Sequence, residues 1–240
     1  MTTFVLVHGA FHGGWCWRLV AAELRSRGHQ VFTPTLTGLG ERSHLATPEV
    51  DLDTHIEDVI NVLAWEDLQS VMLVGHSYGG LVVGGVAERV PERLAGLIYL
   101  DAIVPENGRS ALDFQVPERR QTMEEAAAGY NGWQLPPMPA KFYGVTDPDQ
   151  AAWVDGHCTP QPFATFRQAS QLSGAGEGVP LKAYIRCTQT PLGYMQQFVE
   201  RAEQAPDWQL LYIDTGHDCM VTEPERLAQM LIGLASGNSP

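Results

Sequence analysis

Gly75-His76-Ser77-Tyr78-Gly79 sets a serine between two glycines, after the apolar run Ser70–Val74 and before a helical pattern over Leu81–Arg89. A serine hydroxyl becomes a nucleophile when a neighbouring base takes its proton. A G-x-S-x-G pattern at a strand-to-helix junction presents that hydroxyl at the tip of a turn so tight that its backbone is strained. The flanking glycines remove the side chains that would collide there. The helix start beyond the turn favours developing negative charge. The chemistry implied is attack on an acyl carbon; the structural alternative is a glycine-rich turn that only packs a helix on a strand.

Position selects the base from eight histidines. His217, in Asp214-Thr215-Gly216-His217-Asp218, follows the last apolar run and precedes the last helical pattern, so it lies at a strand end with Ser77. Attack also needs donors for the oxyanion. His8-Gly9-Ala10-Phe11-His12-Gly13-Gly14 follows the first apolar run, and its glycines let backbone approach a ligand. The amides of Ala10 and Tyr78 are the natural pair of donors. His8 and His12 do not read as a metal pair, because the glycines oppose a shared helix face and no carboxylate is near in sequence.

The elements that must position these groups alternate between strand and helix. Strands are expected at Phe4–Val7, Gln30–Pro34, Ser70–Val74, Ala95–Leu100, Ala183–Cys187 and Gln209–Ile213. Helices are expected at 15–27, from Thr54 (with Glu57 as a capping box), at Leu81–Arg89, Tyr194–Glu203 and Glu225–Leu234. That rhythm predicts an α/β fold with a mostly parallel central sheet flanked by helices. It breaks between about 105 and 180, a Pro-, Gly- and aromatic-rich stretch with short helical pieces such as Glu124–Ala128. So long a structureless loop would be anomalous, and residues 105–180 are read as a cap inserted into a core formed by 1–104 and 181–240. Gly80, Gly84 and Gly85 are read as close packing of a helix on the sheet.

Length and charge exclude several classes. The chain has 240 residues, 15 Lys plus Arg against 28 Asp plus Glu, and a net charge of −13, which disfavours nucleic acid or an anionic membrane as partner. No apolar run reaches the roughly 20 residues that span a bilayer. The N-terminus lacks a basic region and a cleavage site, so a cytoplasmic protein is expected. Scattered Cys16, Cys158, Cys187 and Cys219 read as reduced thiols. The expected partner is a small apolar or aromatic molecule; a homodimer stays open.

Val5-Leu6-Val7-His8-Gly9-Ala10 with Trp15-Cys16-Trp17, the Ser77 motif, Tyr99-Leu100-Asp101-Ala102, Tyr184-Ile185-Arg186-Cys187-Thr188 and Gly216-His217 together resemble small α/β-hydrolases. The branch is that of esterases and hydroxynitrile lyases, with plant methylesterases and EstC-like and pyrethroid-hydrolase-like esterases. The resemblance implies the α/β-hydrolase fold, a capped pocket and no cofactor. Similar proteins place an aspartate shortly after the strand that here ends in Cys187-Thr188, yet no carboxylate occurs between Ala183 and Val199. Three readings follow. Asp101, at the end of the preceding strand, supplies the acid; or Ser77 and His217 act as a dyad; or the site, altered around Thr190, has become a lyase or cyclase with His217 as general base. A non-catalytic ligand sensor is a further class.

Phe11, His76, Trp133, Trp153 and Phe163 are the candidates for the substrate pocket, with 153–163 as its roof, although any cap aromatic can equally form the cap's own core. The leading expectation is a serine hydrolase acting on a carboxylic ester or related acyl compound, in secondary metabolism or xenobiotic turnover.

Overall fold

The computed structural model describes residues 1–237. In chain order it contains β1 (Thr3–Val7), α1 (Arg18–Ser26), β2 (Gln30–Phe32), α2 (Leu52–Trp65), β3 (Val71–His76), α3 (Gly79–Arg89), β4 (Leu94–Leu100), α4 (Pro117–Tyr130), β5 (Gln134–Leu135), α5 (Pro148–Asp155), β6 (Gln161–Pro162), α6 (Ala164–Arg167), β7 (Leu181–Cys187), α7 (Gln196–Gln204), β8 (Trp208–Ile213), α8 (Cys219–Thr222) and α9 (Pro224–Ala235). Six strands form the main sheet in the order β2-β1-β3-β4-β7-β8, with every pairing parallel. The chain steps outward from β1 to β2, then returns past β1 to β3 and proceeds the other way. The loops leaving β1 and β3 therefore diverge at a switch point, where a crevice opens beyond the strand ends.

Strand periodicity builds two apolar layers. Val5, Val7, Val71 and Leu73 meet α2 and α3 through Ile56, Val59, Val83 and Val86. Phe4, Leu6, Met72 and Val74 meet α1 and α9 through Val20, Leu24, Leu227 and Leu231. Burial on both faces explains why these strands read as continuous apolar runs.

Boundaries differ from expectation where local chemistry decides them. α2 starts at Leu52 because Asp51 is its cap: its carboxylate accepts from the Thr54 amide at 2.9 Å. Thr54 is thus the third residue of the helix, and the box pairs it with Asp51, not Glu57. The short helix expected at Glu124–Ala128 is the centre of α4, which runs over 14 residues from Pro117. Only Ala127 of α4 is buried, so it carries no apolar stripe for sequence to reveal. Residues 105–180 add no strand to the main sheet; β5 and β6 pair antiparallel by themselves. Phe114, Leu135, Phe163 and Phe166 from this segment join the same apolar cluster as the β1 and β3 side chains.

Among the described residues no helix is long and apolar enough to cross a membrane. All four cysteines are free thiols. The α3 glycines admit neighbouring parts of the same chain. A Cβ on Gly80 would lie 2.1 Å from the Ile103 carbonyl, on Gly84 2.3 Å from Pro105 and on Gly85 2.3 Å from Ile56. The Gly80 contact is with backbone and cannot be relieved by a rotamer change. Gly80→Ala should lower stability by about 1–3 kcal/mol or more, read as a fall in the urea midpoint; an unchanged midpoint would show that α3 shifts freely.

Candidate active site

Ser77 sits between β3 and α3 with φ 54°, a left-handed conformation that a non-glycine residue adopts only when its surroundings impose it. Two backbone bonds impose it: the Ser77 amide donates to the Leu100 carbonyl at 3.2 Å, and the Ser77 carbonyl accepts from Ile103 at 3.0 Å. The β4 end is bent the same way, with Asp101 at φ 41° and its amide donating to Ile185 at 2.7 Å.

This corner aims the Asp101 carboxylate at His217. His217 Nδ1 lies 2.6 Å from Asp101 Oδ2, with both side chains almost wholly buried. A carboxylate only accepts, so Nδ1 carries a proton. Asp101 Oδ1 accepts from Arg186 Nη1 at 2.6 Å and from the Cys187 amide at 3.4 Å. Burial pushes the Asp101 pKa up, but the hydrogen bonds and charges of His217 and Arg186 outweigh it and hold the carboxyl below its usual range. Arg186 was not singled out from sequence. Its signal is there: a lone arginine inside the buried strand Tyr184-Ile185-Arg186-Cys187 needs a carboxylate.

His76 ties the nucleophile turn to the base. Its Nε2 donates to the His217 carbonyl at 3.0 Å, and the two rings are 4.4 Å apart. It lies behind His217 and does not line the cavity. On the other side, a Cβ on Gly9 would fall 2.9 Å from Ser77 Cβ, so only glycine lets the β1 loop pass the serine. That loop brings the Ala10 amide beside the cavity. The Ala10 and Tyr78 amides donate to no acceptor among the described residues, and both residues line the cavity that Ser77 floors.

Histidines hold this loop in two charge states. His8 donates from Nδ1 to the Gly9 carbonyl at 2.8 Å and accepts the Leu36 amide at Nε2, 3.1 Å away. It is therefore neutral, and burial lowers its pKa to about 3. His12 donates from both nitrogens, to the Ala10 carbonyl at 2.7 Å and Asp218 Oδ2 at 3.1 Å. Burial disfavours its charge, but the Asp218 carboxylate outweighs this and raises the pKa. Asp218, which follows His217, thus points at the oxyanion loop. Phe11, at φ 67°, donates its amide to Gln161 Oε1 at 2.9 Å and accepts from Thr159 at 2.9 Å. Gln161 was missed from sequence; the segment read as pocket roof instead clamps this loop. The Tyr78 hydroxyl donates to His55 Nδ1 at 3.0 Å, whose Nε2 donates to Thr37. His55 is neutral, its pKa lowered by burial to about 4.

The cavity over Ser77 has a volume of about 170 Å³. Ala10, Phe11, Ser77 and Tyr78 form its floor, and α4 contributes Met123 and Ala126 to its wall. Trp133, Trp153 and Phe163 do not reach it. Phe163 is core; Trp133 accepts the Phe163 amide at 2.7 Å and borders a separate surface hollow; Trp153 packs edge-on to Trp15 at 5.0 Å and under Arg18. Each buries apolar area against the chain rather than presenting it to a ligand. Phe142 and Tyr143 line the cavity in their place. Wider depressions along β8 and α9 carry none of the groups above. Among the described residues no three His, Cys, Asp or Glu side chains are grouped to hold a metal.

Residues 4–230 match the alpha/beta hydrolase family. The chain belongs to that family. It is 40% identical, over 98% of its own length and 100% of the relative's, to a carbendazim-hydrolysing esterase of Nocardioides sp. (strain SG-4G). Among solved structures, an extracellular α/β-hydrolase from a Paenibacillus species superposes with a TM-score of 0.88 at 24% identity, covering 98% of this chain and 99% of that one. Tomato methylketone synthase I superposes with a TM-score of 0.81 at 23% identity, covering 99% of each chain. At these identities the two structures show the shared fold.

The neutral buried histidines make the fold sensitive to acid. A group whose folded pKa lies below its unfolded value near 6.5 stabilises the fold above that value and loses the contribution as pH falls toward the folded pKa. His8 (about 3) and His55 (about 4) each forfeit on the order of 2 kcal/mol between pH 7 and 5, and His76, also lowered by burial, adds to this. Asp101 and Asp218, held low, weaken the fold only below about pH 4. Raised His12 contributes fully across the acidic side. His12 offsets part of this, so urea titrations should show a net loss of a few kcal/mol from pH 7 to 5; equal stability at the two would mean that these imidazoles are not buried neutral.

Proposed function

We propose that this protein is a cofactor-free serine hydrolase that cleaves a carboxylic ester, or a related acyl bond, of a small apolar or aromatic molecule through an acyl-enzyme on Ser77. The observation that carries the reading is the 2.6 Å bond from His217 to a buried, ionised Asp101. A carboxylate there favours the proton on Nδ1, which would leave Nε2 as the base, and Ser77 is held on a strained turn at φ 54°. Relatedness at 40% to a carbendazim-hydrolysing esterase supports the reaction class.

The steps use only groups of this chain and water. Ser77 Oγ bonds to the acyl carbon while its proton passes to His217 Nε2. The carbonyl oxygen takes the electron pair and is held by the Ala10 and Tyr78 amides, aimed in advance at that position. The bond to the leaving oxygen then breaks, and His217 returns the proton to the departing alcohol. Water repeats the sequence: His217 takes one proton, hydroxide adds to the acyl carbon, and the carboxylic acid leaves as Ser77 is reprotonated. Residues 105–180 act as a cap, supplying the apolar wall that excludes water from the oxyanion. The sequence motive for a lyase, cyclase or sensor is a missing carboxylate after β7; the bond from Asp101 to His217 supports the reading in which Asp101 serves as the acid instead.

Ser77→Ala should abolish turnover of aryl esters, and a serine-directed phosphonate should add to Ser77 of the parent protein by mass spectrometry. Full activity in the variant would refute the covalent path.

Asp101→Asn should cost about 10⁴ in kcat, since an amide can favour the wrong imidazole tautomer. Arg186→Met should cost less and shift the acidic edge of the kcat/KM profile to higher pH, because Asp101 loses a cation that keeps it ionised. An unmoved edge with wild-type kcat would reduce Arg186 to packing.

A further inference from the structure

The cavity wall holds three buried polar atoms that the catalytic steps do not use and that make no hydrogen bond of normal geometry among the described residues: Gln115 Oε1, Arg119 Nε and Tyr143 Oη; the Tyr143 hydroxyl has only the Met138 backbone nearby, and the Gln115 side chain only the Tyr194 hydroxyl. Arg119 forms no ion pair among the described residues. Its guanidinium rests 5.1 Å over the Phe142 ring, and Phe142 borders Tyr143 at 5.6 Å between centroids. Tyr143 in turn stacks on His217 at 6.1 Å. Arg119 and Tyr143 therefore belong to a row of rings that reaches His217, and Gln115 lines the same cavity as both.

Their chemistry constrains a ligand. Gln115 Oε1 only accepts, Arg119 Nε–H only donates, and the Tyr143 hydroxyl does either. A hydrocarbon chain satisfies none of them and leaves buried polar atoms desolvated. A carboxylate suits Arg119 but faces the glutamine oxygen with negative charge. A secondary amide offers a carbonyl to Arg119 and an N–H to Gln115, with Tyr143 able to complete either, and it needs no counter-ion in an otherwise apolar cavity. The acyl half of a substrate stays attached to Ser77 after the alcohol leaves, so groups on the enclosed wall read that half.

We propose that the site selects esters whose acyl half carries a secondary amide, its carbonyl received by Arg119 and its N–H by Gln115. This rests on the Ser77 hydrolase reading and adds the substrate class to it. The test uses three 4-nitrophenyl esters of closely similar length: N-acetylglycinate (amide), 4-oxopentanoate (carbonyl without N–H) and pentanoate (neither). Each kcat/KM is divided by the ester's own hydroxide rate to remove differences in reactivity. The amide ester should lead the keto ester, and the keto ester the alkyl ester, by about tenfold per hydrogen bond. Arg119→Met should collapse the keto-to-alkyl ratio, and Gln115→Leu the amide-to-keto ratio. Ratios are taken within one protein, so a general loss of activity in a variant cancels. Wild-type preference for pentanoate, or ratios unchanged in both variants, overturns the proposal. Turnover of all three esters by Ser77→Ala would instead overturn the hydrolase reading, which separates the two failures.

Discussion

The bond between His217 and Asp101 is the constraint on which the rest of the site depends. It joins the loop after β8 to the corner after β4, and so spans the sheet from its edge to its middle. Burying a carboxylate costs several kcal/mol unless charge and hydrogen bonds compensate. Asp101 is compensated from two sides, by imidazole N–H on one oxygen and by Arg186 and the Cys187 amide on the other. Arg186 keeps Asp101 ionised but would also oppose a positive charge on His217. Distance decides between these effects. Two charges about 4 Å apart interact by ~4 kcal/mol at an effective dielectric of 20. The directly bonded carboxylate is nearer to the imidazole than the guanidinium beyond it, so attraction prevails.

A second histidine–aspartate pair does different work. His12 and Asp218 lie one step along from the reacting groups, but His12 spends its other N–H on the Ala10 carbonyl. The Ala10 carbonyl is thereby fastened to Asp218, the residue after His217. His76 makes the matching tie, from the residue before Ser77 to the His217 carbonyl. The loops carrying Ala10, Ser77 and His217 are thus held to one another by imidazoles rather than by packing alone. Short, shared supports of this kind keep a constellation within the tolerance that catalysis needs.

Much of this was legible in the chain. Parallel strands buried on both faces announce themselves as apolar runs, and the serine, the base and the oxyanion loop follow strand ends that periodicity locates. What stayed hidden has physical reasons. α4 fully buries a single alanine, so its start was lost for want of an apolar stripe. Trp133, Trp153 and Phe163 are aromatic for packing, and composition cannot tell a wall that faces a ligand from one that faces the protein. Gln161 reaches Phe11 across 150 positions of sequence, a contact that no local pattern records. Arg186 could have been found, since a cation in a buried strand implies an anion close by.

The placement of the acid follows from strand order. β4 lies between β3, which carries Ser77, and β7, after which similar proteins place the aspartate. A carboxylate at the end of β4 starts one strand nearer to β3 than one after β7 would. The left-handed turn at Asp101 redirects it, and the Ile185 carbonyl and Cys187 amide of β7 grip the backbone and side chain of the bent residue. β7 thus supports Asp101 through its backbone. The absence of a carboxylate after Cys187 suits this arrangement, since a second carboxylate there would compete with Asp101 for Arg186 and raise both pKa values.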